Sequence, residues 1–196
     1  MGEVKSSRII GANSAYGRNA SDFYPTPPEV TQALVDFLGL RPETMIWEPA
    51  AGEGHMARVL AGNGYIVTAT DIKTGVDFMT SEIETPWEWI MTNPPFSLAE
   101  GFIQRCAGYK KPFALLLKVH FWNAKRRLTL FRSCPPAYVL PLTWRPVFLP
   151  EERGKSPLMD FMWCVWDEEA RHRNNGATVY LPLSKPERVF EGVPNG

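Results

Sequence analysis

Cysteine is scarce in this chain of 196 residues: Cys106, Cys134 and Cys164 are an odd number, and no two stand in a C-x-x-C spacing. That excludes a disulfide framework and a thiolate zinc site, and it fits reduced thiols in a cytoplasmic protein. An excess of charge of one sign is also lacking, since 21 Lys and Arg balance 21 Asp and Glu. With no global basic field, any contact with nucleic acid must come from a local patch. No apolar run approaches the roughly 18 residues of a membrane span. The start, MGEVKSSRII, has neither the apolar core nor the cleavage pattern of a signal peptide. No Ser-His-Asp arrangement, nucleophile elbow or metal-ligand spacing is visible, and His55 and His172 read as ordinary surface or loop histidines. No membrane and no metal is therefore expected, and there is no internal repeat or low-complexity tract.

What is present suits one globular domain with a sizeable core. It is expected over residues 22–196, behind a mobile Ser-, Asn- and Gly-rich arm at 1–21. In Tyr24-Pro25-Thr26-Pro27-Pro28-Glu29, Thr26 reads as a helix N-cap, Pro27 as the first helical residue and Glu29 as the other half of a capping box. Val30, Ala33, Leu34, Phe37 and Leu38 give that helix an apolar face, and Gly39 ends it. Met45 to Trp47 is a short buried strand, followed by a Gly-rich loop, a helix to Leu60, a strand from Tyr65 to Thr70, and Asp71. Further strands are expected at Trp89–Met91, Phe113–Val119, Ala137–Leu142 and Met159–Trp166, with Trp163 and Trp166 in the packing. Helices are expected after Ser97 and Glu100, closed by Gly108, and from Ala124 to Phe131 with Asn123 as cap; Arg145 to Pro157 reads as a loop. The alternation predicts an α/β fold: a mostly parallel central sheet with helices on both faces.

Gly52-x-Gly54-x-x-Ala57 formally fits a dinucleotide fingerprint, with Asp71 near the usual ribose-binding offset. Glu48 and Glu53 argue against a pyrophosphate, which would face two carboxylates at short range. The same acids attract S-adenosylmethionine, which carries a sulfonium and an ammonium, while the glycines still admit close backbone approach. Asp71 can accept hydrogen bonds from both ribose hydroxyls.

Asn93-Pro94-Pro95-Phe96 follows a strand, where open α/β sheets place their chemistry. Two prolines fix the backbone and remove two N–H donors. The Asn93 side-chain oxygen and the Pro94 carbonyl remain as acceptors, suited to the two hydrogens of a planar NH2 group. Held by both, the nitrogen is drawn toward tetrahedral geometry and its lone pair is freed to attack a sulfonium methyl. Phe96 offers an apolar face for a ring.

The order Tyr24-Pro25-Thr26-Pro27, Glu48-Pro49-Ala50-Ala51-Gly52-Glu53-Gly54, Asp71-Ile72, Asp77-Phe78 and Asn93-Pro94-Pro95-Phe96 resembles the class I S-adenosylmethionine-dependent DNA adenine-N6 methyltransferases, most closely the small phage and prophage type. The resemblance spans residues 23–96 and implies a Rossmann-like class I methyltransferase fold. It implies that Phe23, Tyr24 and Thr26 border the methionine end of the cofactor and that Glu48, Ala50 and Gly52 line it. Asp71 and Ile72 would hold ribose and adenine, Asp77 and Phe78 would contact the cofactor's adenine ring, and Asn93, touching both partners, would hold the target amine with Pro94, Pro95 and Phe96. The implied partner is DNA, double- or single-stranded, in the cytoplasm of a bacterium or phage-infected host.

Lys118, His120 and Trp122 at one strand end, and Arg145 after another, are candidates for target contact; the Lys125-Arg126-Arg127 cluster suits phosphate or a solvated helix face equally. Little chain after Phe96 is spare for a target-recognition unit, so low sequence specificity is expected. RNA adenine, a protein glutamine amide, or an idle nucleic-acid-binding role remain the alternatives, since the same amine chemistry serves the first two.

Overall fold

The structure is a computed structural model that describes residues 25–148 and 159–193. The expected arm at 1–21, Phe23 and Tyr24, and the 149–157 part of the expected loop lie outside the described residues.

In chain order the elements are α1 (Pro28–Leu38), β1 (Met45–Glu48), α2 (His55–Gly62), β2 (Ile66–Ala69), β3 (Trp89–Thr92), α3 (Ala99–Gly108), β4 (Phe113–Lys118), α4 (Leu128–Ser133), β5 (Tyr138–Pro141), β6 (Phe161–Trp166), α5 (Glu168–Arg173) and β7 (Val179–Tyr180). Among the described residues they build one sheet in the order β2-β1-β3-β4-β6-β5-β7. All pairings are parallel except those of β6, which runs antiparallel between β4 and β5.

Why β4 reads FALLLK follows from coverage of both faces. Its Ala114 and Leu116 join a core with Val30 and Leu34 of α1 and Met56 and Leu60 of α2. Its Phe113, Leu115 and Leu117 join a second core with Phe102 and Ile103 of α3 and Leu130 of α4. β6 is buried throughout for the same reason. Trp163 sends its indole N–H across to the Val30 carbonyl at 2.9 Å, and Trp166 stacks on Phe113 with centroids 4.6 Å apart. Both tryptophans are packing residues, as expected.

Several helix starts differ from the sequence reading. α1 begins at Pro28 with Pro27 as its cap residue and no side-chain cap, because the Thr26 hydroxyl is used elsewhere. α3 begins at Ala99 after Leu98, again without a side-chain cap, and Gly108 is its last residue. The stretch after β4 is not one helix: it makes short 3-10 turns at Val119–Asn123 and Lys125–Arg127 before α4. α5, capped by the Asp167 carboxylate on the Glu169 and Ala170 amides, and the two-residue β7 were not anticipated.

Beyond β7 the chain returns over α1 and α2 as a strap. Lys185 pairs with Glu29 at 3.7 Å, the Phe190 amide donates to Gln32 at 3.2 Å, and the Gly192 amide donates to the Arg58 carbonyl at 2.8 Å. A Cβ on Gly62 would lie 2.6 Å from the Glu191 backbone, so only glycine admits the strap there.

Candidate active site

β1, β2, β3 and β4 are parallel, so Glu48, Asp71, Asn93 and Lys118 all emerge at one edge of the sheet. From β1 the chain goes outward to β2, then crosses back to β3 on the other side. Such a reversal opens a crevice beyond the carboxyl ends of the strands.

The Gly-rich loop is held by its neighbours. The Ala51 amide donates to the Thr70 carbonyl at 2.9 Å, and Gly52 and Gly54 adopt the left-handed region at φ 55° and 74°. Asp71 ties two loops together: one oxygen accepts the Gly52 amide at 2.8 Å and the other the Lys73 amide at 2.9 Å, and Thr74 closes a capping box. A carboxylate has about four lone-pair directions, so Asp71 retains capacity for two hydroxyls. Ile72, beside it, is 68% exposed and offers an apolar side chain on the cleft wall.

Glu48 is the most perturbed acid of the site. It is 3% exposed, accepts the Ala57 amide, and its Oε2 is buried with no hydrogen-bond partner among the described residues. Burial pushes its carboxyl well above the usual carboxylate range; the Ala57 amide opposes, Asp71 adds to the rise and Arg58 opposes it. A cation brought against Oε2 would satisfy that atom and restore the charge.

Across the crevice, the Asn93 amide nitrogen donates to the Thr26 hydroxyl at 3.1 Å. The bond spans 67 positions and fixes the plane of the amide. The Pro95 carbonyl accepts the Leu98 amide at 2.9 Å, which locks the turn. Lys118 places its ammonium 4.0 Å from the centre of the Phe96 ring, whose centroid lies 5.8 Å from that of Phe161.

Thr26, Glu48, Ala50, Asp71, Ile72 and the run Asn93 to Phe96 thus line one open cleft. Gly52 supports it from behind through Asp71. Asp77 and Phe78 are not on its wall. The Phe78 ring is buried against Trp47 and Phe102, and the Asp77 carboxylate accepts the Met79 amide at 2.9 Å. Trp122 is also diverted from target contact: its indole N–H reaches Cys164 Sγ at 3.4 Å, and its ring packs edge-on against Phe121 and Phe131. Arg145 lines neither this cleft nor its smaller neighbour, and pairs with Asp160 at 2.7 Å. Lys118 and His120 line that smaller hollow, which shares Phe96 with the main cleft.

The cleft also recruits His55, read from the sequence as an ordinary surface or loop histidine, and Met56 and Lys73, which the sequence reading did not single out. The position of His55 was the available signal, since the first helical residue after a Gly loop faces the crevice. Arg58 approaches its Nδ1 at 2.8 Å and Glu53 its Nε2 at 3.4 Å. A guanidinium only donates, so the ring accepts at Nδ1 and donates from Nε2. Among the described residues no group of three or more His, Cys, Asp and Glu could hold a metal, and no helix is long and apolar enough to cross a membrane.

No protein-family model matches the chain, and no curated protein matches it. Solved structures do. A methyltransferase subunit of a type I restriction-modification system from Streptococcus thermophilus aligns over 81% of this chain and 47% of its own, at 11% identity and a TM-score of 0.58. A dimethyladenosine transferase from Plasmodium falciparum aligns over 78% and 66% at 13% identity and a TM-score of 0.54. An S-adenosylmethionine-dependent O-methyltransferase from Thermotoga maritima aligns over 74% and 67% at 15% identity and a TM-score of 0.50. The fold is the Rossmann-like fold of methyltransferases. The chain spans about half the length of the Streptococcus protein.

Proposed function

We propose that the chain binds S-adenosylmethionine and methylates the exocyclic N6 amine of adenine in DNA, with little discrimination among flanking bases. The observation that carries this reading is the meeting, in one cleft, of a buried carboxylate that has no partner at Oε2 among the described residues, an Asp71 with acceptors to spare, an exposed Ile72, and the Asn93 to Phe96 turn. Glu48 suits the methionine ammonium, Asp71 the ribose hydroxyls and Ile72 the adenine ring. When bound, the cofactor supplies a methyl group already activated on a sulfonium.

The chain's own residues handle the amine. Thr26 holds the Asn93 amide nitrogen, which turns the amide oxygen to the opposite side of the group as an acceptor. With the Pro94 carbonyl it takes the two amine hydrogens. So held, the nitrogen would turn its lone pair toward the methyl group that the bound cofactor would supply, and the proton it sheds in exchange would leave to solvent. Phe96 supports the base. Positioning and preorganised dipoles provide the acceleration, with no covalent enzyme intermediate. In a duplex the adenine must leave its stack to reach this turn.

The Streptococcus neighbour supports DNA as the target. The dimethyladenosine transferase favours a second reading, adenosine in RNA, by the same amine chemistry. Tritiated methyl transfer to DNA, RNA and protein in parallel, with mass spectrometry of the product, separates these; incorporation into protein alone refutes both. Mapping methyladenine across a random-sequence duplex tests the specificity. A single motif of four to six bases modified to the exclusion of all other adenines would show a recognition element that the proposal does not contain.

A further inference from the structure

Glu48 fixes where the other half of an amino acid must lie. In S-adenosylmethionine the ammonium and the carboxylate sit on one carbon, so an ammonium against Glu48 Oε2 brings the carboxylate to the adjoining wall. That wall is the start of α2: the Ala57 amide already reaches Glu48, and His55 and Met56 line the cleft. The cap residue Gly54, left-handed at φ 74°, has no side chain with which to cap α2, and His55-Met56-Ala57 contains no acid. A helix begun in this way presents amide donors and the positive end of its dipole to the crevice. Glu48 Oε2, buried on the same wall with no partner among the described residues, shows that the wall also awaits a cation.

His55 adds a side-chain donor. Arg58 lies 2.8 Å from its Nδ1, which puts a positive charge behind the ring and leaves the proton on Nε2. The present partner of Nε2, the Glu53 carboxylate, stands at 3.4 Å and is 71% exposed. Charge-assisted bonds close to about 2.7–2.9 Å, so this one is slack, and Glu53 regains water when the ring turns to another acceptor. Lys73, the other basic residue on the cleft wall, belongs to the loop of Asp71 that the ribose reading occupies.

We propose that the start of α2 and the His55 Nε2–H together hold the α-carboxylate of the cofactor's methionine end, while Glu48 takes the ammonium. The site then selects a nucleoside that carries an intact amino acid, and His55 is the side chain that reads the carboxylate. The inference rests on the S-adenosylmethionine reading of the cleft.

The test uses the full chain and two ligands that differ only in the carboxylate: S-adenosylhomocysteine and its decarboxylated counterpart, S-adenosyl-3-thiopropylamine. Both carry the ammonium, so the proton that Glu48 must release is common to them and cancels from the ratio of their affinities. Calorimetry at one pH should show the wild type binding S-adenosylhomocysteine about tenfold or more tightly than the amine, the scale of one charged hydrogen bond. His55→Leu, which keeps bulk but no donor, should weaken S-adenosylhomocysteine about tenfold and leave the amine unchanged. Glu48→Gln, by contrast, should weaken both ligands alike. Equal wild-type affinities, a ratio that survives His55→Leu, or a His55→Leu variant with the wild-type melting curve that loses both ligands equally would each overturn the assignment and still leave the cofactor in the cleft. Binding of neither ligand to the wild type would refute the cofactor reading itself, and this inference with it.

Discussion

Glu48→Gln isolates the charge at the centre of the cofactor reading. The substitution keeps the size of the side chain and an acceptor for the Ala57 amide, but removes ionisation. Burial raises the Glu48 carboxyl pKa in the folded protein. A raised acid is stabilised by the fold in its protonated form; that contribution is complete below the unfolded value and is lost as pH rises through the folded value. Wild-type stability without ligand should therefore fall with pH across that window, by up to about 1.4 kcal/mol per unit for one proton, and the Gln variant should lack this slope. Binding of S-adenosylhomocysteine, which carries the ammonium but no transferable methyl, should run the other way. Its cation needs the carboxylate, so one proton must leave, and wild-type affinity should rise about tenfold per pH unit until Glu48 ionises unaided. Above that point Glu48→Gln should bind about 10–150-fold more weakly, the loss of one charged hydrogen bond. Calorimetry between pH 5 and 8, in buffers of different ionisation enthalpy, reads both affinity and proton release. Equal affinities for the two proteins with no proton release would refute the placement of the ammonium at Glu48.

Asn93→Ala should abolish methyl transfer while changing S-adenosylhomocysteine affinity little; lost affinity with retained turnover reverses its assignment. Asp71→Ala should weaken the cofactor by about 1.5–3 kcal/mol, and it should also loosen the Gly52 and Lys73 amides, read as faster hydrogen exchange there; wild-type affinity removes Asp71 from the site. Gly62→Ala should lift the strap, because its Cβ would meet the Glu191 backbone at 2.6 Å. Exchange at the Phe190 and Gly192 amides should rise even though alanine favours a helix by about 1 kcal/mol, and unchanged protection would contradict this packing account.

Where sequence and structure agree, the signal was an apolar run bounded by Gly, Pro or acid, as at Met45–Glu48, Trp89–Thr92 and Phe113–Lys118. The acid, glycine and Asn-Pro-Pro-Phe positions were legible because they sit at strand ends, and parallel pairing brings strand ends together. Thr26 was misread because Pro27 and Pro28 both suit a helix start, and its real partner, Asn93, lies far along the chain. Phe78 and Trp122 carry no local mark that distinguishes a ring facing a cleft from one facing the core. β7 has two half-exposed or exposed residues, and α5 buries only Ala170, so neither leaves a hydrophobic period to read.

The place of β6 between β4 and β5 has a consequence during synthesis. β1 to β4 can pair as their residues emerge, but β5 has no sheet neighbour until β6 exists. Lys118 and Phe161 are 43 positions apart (161 − 118), so at 5–20 residues per second the outer edge of β4 stays bare for about 2–9 s on the ribosome. That edge is FALLLK, apolar, uncharged but for its last residue, and rich in unpaired backbone groups. Nascent chains stalled before Phe161 would therefore present an unpaired apolar strand edge to one another.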